Sequence, residues 1–115
     1  MCRSEAQPPP VELLLDQLKT RAAQLGKPAW RDMLVYAAEL HGRATHPARP
    51  PFPYAWEEIG PGYCYGPAFG HWDIVHQVLD VLPDEPRHAR EQILNNLACQ
   101  QPDGMVPGSI YLQHD

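Results

Sequence analysis

The residues best suited to chemistry lie between Tyr54 and Asp73, in the segment YAWEEIGPGYCYGPAFGHWD. Its glycines let the backbone fold closely, and its aromatics supply flat faces. The segment ends on Trp72 and Asp73. A tryptophan at such a position can stack on the apolar face of a sugar ring. An aspartate beside it offers two acceptor oxygens, which match a pair of neighbouring hydroxyls. The start of a helix favours the ionised form of that carboxylate. Phe69, an aromatic of the same loop, joins them as a candidate contact. The same residues also suit a bare helix start, with Asp73 as a capping or first-turn acid and Trp72 in the core.

A second segment, NNLACQQPDGMVPG from Asn95 to Gly108, ends a helix in amides and turns through Pro102-Asp103-Gly104. Gln101 and Asp103 could line a polar pocket there. Ordinary helix-stop chemistry explains the same residues without a ligand.

Other constellations are weaker. His71, Asp73 and His76 could be imagined around a metal, but a histidine spacing of five places the two rings about 140° apart on a helix. Helical ligand pairs favour a spacing of four, so no metal site is expected, and no cofactor. Cys64 has no histidine arranged as a nucleophilic partner in the sequence. Glu57 and Glu58 are adjacent, and adjacent side chains rarely converge, so a solvated face is expected for both. Cys2, Cys64 and Cys99 are scattered and odd in number, with no CxxC pair. This suggests neither a zinc site nor a disulfide framework, and a reducing, cytoplasmic setting fits.

Four helices are expected to position these residues. Val11, Leu14, Leu15, Leu18, Ala22 and Leu25 recur at helical spacing, with Gly26 as a C-terminal cap, and predict a helix over 11–25. Pro28 suits a first turn and Gly42 a stop, which predicts a second helix over 28–41 with the stripe Trp30, Met33, Leu34, Ala37, Ala38 and Leu40. The link between these helices is short enough to force an antiparallel hairpin. A third helix is predicted over 72–82, with Trp72, Val75, Leu79 and Leu82 buried, stopped by Pro83. A fourth is predicted over 85–101, capped by Asp84, with Ala89, Ile93, Leu94, Leu97 and Ala98 as its apolar face. Between the hairpins, 43–70 is rich in proline, glycine and aromatics. A long loop of that kind is functional or disordered, and its aromatic content argues against disorder. No segment alternates long enough to predict a strand, so the expected class is all-α.

The chain has 115 residues, 43% of them hydrophobic and 20% charged, with a net charge of -5. That is one small globular domain. The acidic balance gives no basic footprint for nucleic acid or an acidic membrane surface. No apolar run approaches the roughly 20 residues of a membrane span. Residues 1–10 read as a polar, proline-rich leader without the apolar core of a signal peptide, and 11–115 as the folded part.

Taken together, the two segments form a pattern: a helix opening on Trp72-Asp73, a proline stop, and a longer helix leading to Gln101, Asp103, Gly104 and Pro107. This resembles the N-terminal part of the catalytic domain in six-hairpin glycosidases, in particular the trehalase, processing α-glucosidase and glucosylglycerate hydrolase group. The resemblance covers 54–108. After Trp-Asp, those families continue with a small residue and aromatics, where this chain has Ile74-Val75-His76. The resemblance implies helical hairpins forming part of an (α/α)6 toroid, and an inverting hydrolysis of an α-glucoside type of carbohydrate. It implies substrate contacts at Trp72, Asp73, Phe69, Gln101 and Asp103. Inverting hydrolysis needs an acid and a base about 6.5–9.5 Å apart, and the resemblance places both beyond the second hairpin. No catalytic residue is therefore assigned, and the chain is expected to be an inactive piece of such an enzyme. The alternative is a small helical interaction module that pairs exposed apolar faces, self-association included.

Overall fold

Proline sets where two of the helices begin. The computed structural model describes residues 11–24 and 27–112. Within them lie α1 (Val11–Gln24), α2 (Pro28–Ala44), β1 (Thr45–His46), β2 (Trp56–Glu57), β3 (Ala68–Gly70), α3 (His71–Val81), α4 (Pro86–Ala98) and β4 (Ser109–Tyr111). Pro28 and Pro86 open α2 and α4, where the missing N–H costs no helical hydrogen bond and the fixed φ already suits the helix. The leader 1–10 and the stop at Leu25 and Gly26 lie outside the described residues, as do the side chains of Val11, Leu14 and Leu15.

The helices pair as two hairpins, α1 with α2 and α3 with α4. Their ends differ from the sequence expectation in places. α2 runs on through Gly42, which is buried, and stops at Ala44, where Thr45 turns extended. The Thr45 hydroxyl donates to the His41 carbonyl at 2.8 Å, which satisfies one of the acceptors a helix end leaves open. Glu85, not Asp84, is the residue before the first turn of α4, and that helix ends at Ala98.

The expectation of an all-α chain, with helical hairpins forming part of an (α/α)6 toroid, is corrected. The chain is mixed α/β, with β1 and β2 forming one antiparallel pair and β3 and β4 another. All of these strands are two or three residues long, too short for alternation to register as a period. Three of them lie in the stretch expected to be a loop. Thr45 faces Glu57 and His46 faces Trp56 across the first pair, and the His46 and Trp56 rings stack at 4.6 Å.

Two apolar clusters hold the layers together. Phe52, Trp56, Phe69, Ile74 and Leu112 form the larger one, where the strands meet α3. Leu18, Ala38, Val81 and Ala89 form a smaller one, to which each helix contributes one side chain. Val78 packs against both.

Two helix faces are reversed from the sequence expectation. α3 buries Ile74 and Val81 and leaves the stripe Trp72, Val75, Leu79 and Leu82 exposed, with Leu79 at 62%. The helix is apolar on two sides, and periodicity alone cannot choose between them. α4 buries Ala89 as expected, but with it His88, Glu91, Gln92, Asn95 and Asn96, and it exposes Ile93 and Leu97. The reason lies in 54–57. Its backbone runs buried beside α4 with polar groups that need partners. Asn95 accepts from Tyr54 N at 3.0 Å and donates to Ala55 O at 2.9 Å. Gln92 accepts from Glu57 N at 3.0 Å and also donates to Ala55 O.

Candidate functional site

The Trp72-Asp73 helix start and the 101–108 loop meet because β4 returns against β3. Phe69 pairs with Ile110 and Gly70 with Ser109. Directly beyond, His71 N donates to Gly108 O at 3.0 Å. The chain therefore leaves α4, turns at Pro102-Asp103-Gly104 and arrives beside the first turn of α3.

On this rim Trp72 is 74% exposed, its ring 5.2 Å from that of His76. Asp73 lies in the first turn of α3. Its carboxylate stands over Gly70, where an added Cβ would lie 2.3 Å from Asp73 Oδ2 and 3.1 Å from Ile59 Cγ1. Glycine is required at 70 by space and not by φ, which is an ordinary −106°. Among the described residues no side-chain or backbone donor holds the Asp73 carboxylate. Its acceptor oxygens are open to a ligand. Tyr65 and Tyr111 add exposed rings near the same strand pair, edge to face at 6.5 Å. Tyr63 meets Tyr65 at 5.7 Å, and a hydrogen bond to Tyr111 pushes its hydroxyl above the ordinary tyrosine range.

The remaining candidates divide. Phe69 points inward and is buried in the larger cluster. Asp103 Oδ1 accepts from Met105 N at 2.9 Å, and Gly104 takes the positive φ of +93° that the turn needs. Gln101 closes the turn through its backbone, accepting from Gly104 N and donating to Met105 O, both at 2.8 Å. Gln101 and Asp103 are exposed. Asp103 is thus partly committed to the turn, while Trp72 is exposed and Asp73 half-buried at the rim.

A second polar constellation gathers around Glu57. Glu57 is fully buried. Its Oε1 accepts from His41 Nδ1 at 2.9 Å and its Oε2 from His88 Nε2 at 2.6 Å. The other nitrogen of His41 faces Asp80 Oδ2 at 3.3 Å. Glu58 is buried too and bonds His46 on the opposite side of the strand. The solvated face expected for this pair is corrected, because a strand sends successive side chains to opposite faces and here both faces are covered. Burial pushes the Glu57 carboxyl up, but the hydrogen bonds and charges of His41 and His88 outweigh it and hold the group below the usual range. Burial likewise pushes His41 down, and Glu57 and Asp80 reverse the shift and leave it above the ordinary histidine value. A signal for this cluster was present in α4. His88, Gln92 and Asn95 follow at spacings of four and three, a polar stripe with the same period as an apolar one.

His71 and His76, once considered around a metal, go elsewhere: His71 Nδ1 lies 2.7 Å from Asn96 Nδ2, and His76 lies on Trp72. Among the described residues no group of His, Cys, Asp and Glu is arranged to hold a metal ion, and no helix is long and apolar enough to cross a membrane. No protein-family model matches the chain, and neither a curated protein nor a solved structure does.

Proposed function

We propose that the chain contributes a sugar-contacting wall of the kind found in six-hairpin glycosidases, with Trp72 as the stacking platform and Asp73 as the hydroxyl acceptor. One observation carries the reading: Trp72 is 74% exposed beside a carboxylate with no protein partner among the described residues. A core tryptophan and a capping aspartate would each be engaged by the protein. Gln101, on the neighbouring loop, is the next candidate contact. The substrate class is an α-glucoside type of carbohydrate, and no acid and base pair is assigned within the chain, so binding without hydrolysis is the expected behaviour. A cytoplasmic setting belongs to the same reading, since Cys64 and Cys99 are free thiols.

Saturation-transfer NMR against maltose, trehalose and glucosylglycerate tests it. Weak binding on the order of 1 mM, about 4 kcal/mol, is expected for at least one sugar. Trp72→Ala and Asp73→Asn should abolish the transfer while the fold is kept. Equal transfer in both variants, or none to any sugar, would end the proposal.

The outer stripe of α3 favours a second reading, a helical interaction module. Trp72, Val75, Leu79 and Leu82 continue at helical spacing, and Ile93 and Leu97 of the partner helix α4 are exposed as well. Apolar patches of a few hundred Å² mark interfaces. Under this reading mass rises with concentration in light scattering, and Leu79→Glu reverses the rise.

A further inference from the structure

Among the described residues, the two helical hairpins share an apolar cluster of Leu18, Ala38, Val81 and Ala89, two of them alanines that bury little area. Polar ties among the described residues include the exposed Arg21–Asp84 pair at 3.4 Å and the chain that runs from Asp80 through His41 and Glu57 to His88. That chain joins α3, α2, β2 and α4.

We propose that His41 is a pH-sensitive latch: as an imidazolium between Glu57 and Asp80 it fastens the first hairpin to the second, and loss of its proton loosens that joint.

The chemistry follows from the donor count. Each ring nitrogen of His41 faces a carboxylate oxygen, at 2.9 Å and 3.3 Å. An ionised carboxylate only accepts, and a neutral imidazole donates from one nitrogen alone. Only the doubly protonated ring satisfies both contacts. A neutral ring turns one of them into a meeting of lone pairs and forfeits the charge attraction on both sides. The surroundings favour the charged form. Glu57 faces His41 from β2 and Asp80 from α3, and Asp84 lines the same cleft just beyond α3. Arg21 of α1 lines that cleft as well, but its guanidinium pairs with Asp84. Tyr36 of α2 lines the cleft on the other side of His41. From α4, His88 occupies the second oxygen of Glu57, with the buried Glu85 acting on His88 from behind. The upward displacement of His41 agrees with this arrangement.

Amide hydrogen exchange on the full chain tests the latch, after correction for the intrinsic pH dependence of exchange. The reporters are the β1–β2 pairing and Glu58 N, which donates to Ala44 O at the end of α2. Protection at these amides is expected to hold at pH 6 and to be lost as the pH is raised past the ordinary histidine range. His41→Gln should remove that pH dependence. Asp80→Asn alters an exposed carboxylate and should fold normally, so it decides the matter if His41→Gln does not fold. It should move the loss of protection to lower pH, and a ring-carbon NMR titration should show His41 titrating lower by the same shift. Protection that does not change with pH in the wild-type chain would overturn the proposal. So would an unmoved midpoint in Asp80→Asn.

Discussion

The α3 rim and the Glu57 joint use the same kinds of side chain in opposite ways. At the rim, Asp73 is an acid with no hydrogen-bond partner among the described residues and Trp72 is a largely exposed aromatic. At the joint, Glu57 is an acid with both oxygens filled, and Trp56 beside it is an aromatic buried against Phe52 and His46. The difference separates binding from scaffolding. A group whose valences the protein fills sets the geometry of the fold, and a group whose valences stay open is available to a ligand. Mutations should therefore sort by region, with stability lost at the joint and binding lost at the rim.

The largest effect is expected from Glu57→Ala. It leaves His41 and His88 without their shared acceptor in the interior, and breaking a buried pair in this way costs about 3–5 kcal/mol. Urea unfolding should show that loss, and a cost below about 1 kcal/mol would mean that the joint is dispensable.

The pH dependence comes next. Against the opposing effect of burial, Glu57 and Asp80 hold His41 above the ordinary histidine value of 6.5, so its contribution is complete below about that pH and fades as the pH rises through the higher folded-state value. Glu57 is lowered from 4.5, so its contribution is present above that pH and fades as the pH falls through the lower folded-state value. Stability should thus form a plateau between the two limbs, and unfolding monitored at several pH values would trace it. A continuous rise in stability above pH 7 would contradict the assignment of His41.

Gly70→Ala sharpens the comparison from the other side. The new methyl would meet Asp73 Oδ2 and press on Ile59, so the carboxylate must swing away. Sugar binding should fall sharply, with a stability cost of about 1–3 kcal/mol, the scale of forcing an extra carbon into a filled site. Asp73→Ala should behave alike in binding and cost less in stability, because only the helix dipole interaction is lost, about 0.3–1 kcal/mol.

The smallest effect should come at Glu85. Burial pushes its carboxyl up, and Glu85 Oε1 has no partner among the described residues. Glu85→Gln removes the buried charge and should be neutral or stabilising, by no more than about 1 kcal/mol. A clear destabilisation would show that the Glu85 carboxylate makes a contact the fold depends on.

The sequence was legible where one physical signal dominates. Helix positions follow from Pro28, Pro83 and Pro86 together with the period of the apolar residues, and the pairing of the first two helices follows from their short link. Strands were missed because pairs such as Thr45–His46 and Trp56–Glu57 are held by long-range partners and carry no period of their own. The inward face of α3 is not fixed by its sequence because that helix is apolar on two sides, and α4 departs from the expectation because hydrophobicity is not the only reason for burial. Gln92 and Asn95 are buried by their hydrogen bonds to the 54–57 backbone, a demand that appears only once the chain has folded. Trp72 and Asp73 are candidates by type and adjacency alone, and Phe69 shows the limit of that method, since this aromatic two residues before the helix start turns inward.

The most direct measurement follows the three indole N–H signals of Trp30, Trp56 and Trp72 by NMR while maltose is added to the full chain. The account predicts that the Trp72 signal moves together with the amides of Gly70, Asp73 and Gly108, and that the buried Trp56 signal stays in place. Movement at Trp30 or Trp56 without Trp72, or no movement at any sugar concentration, would contradict it.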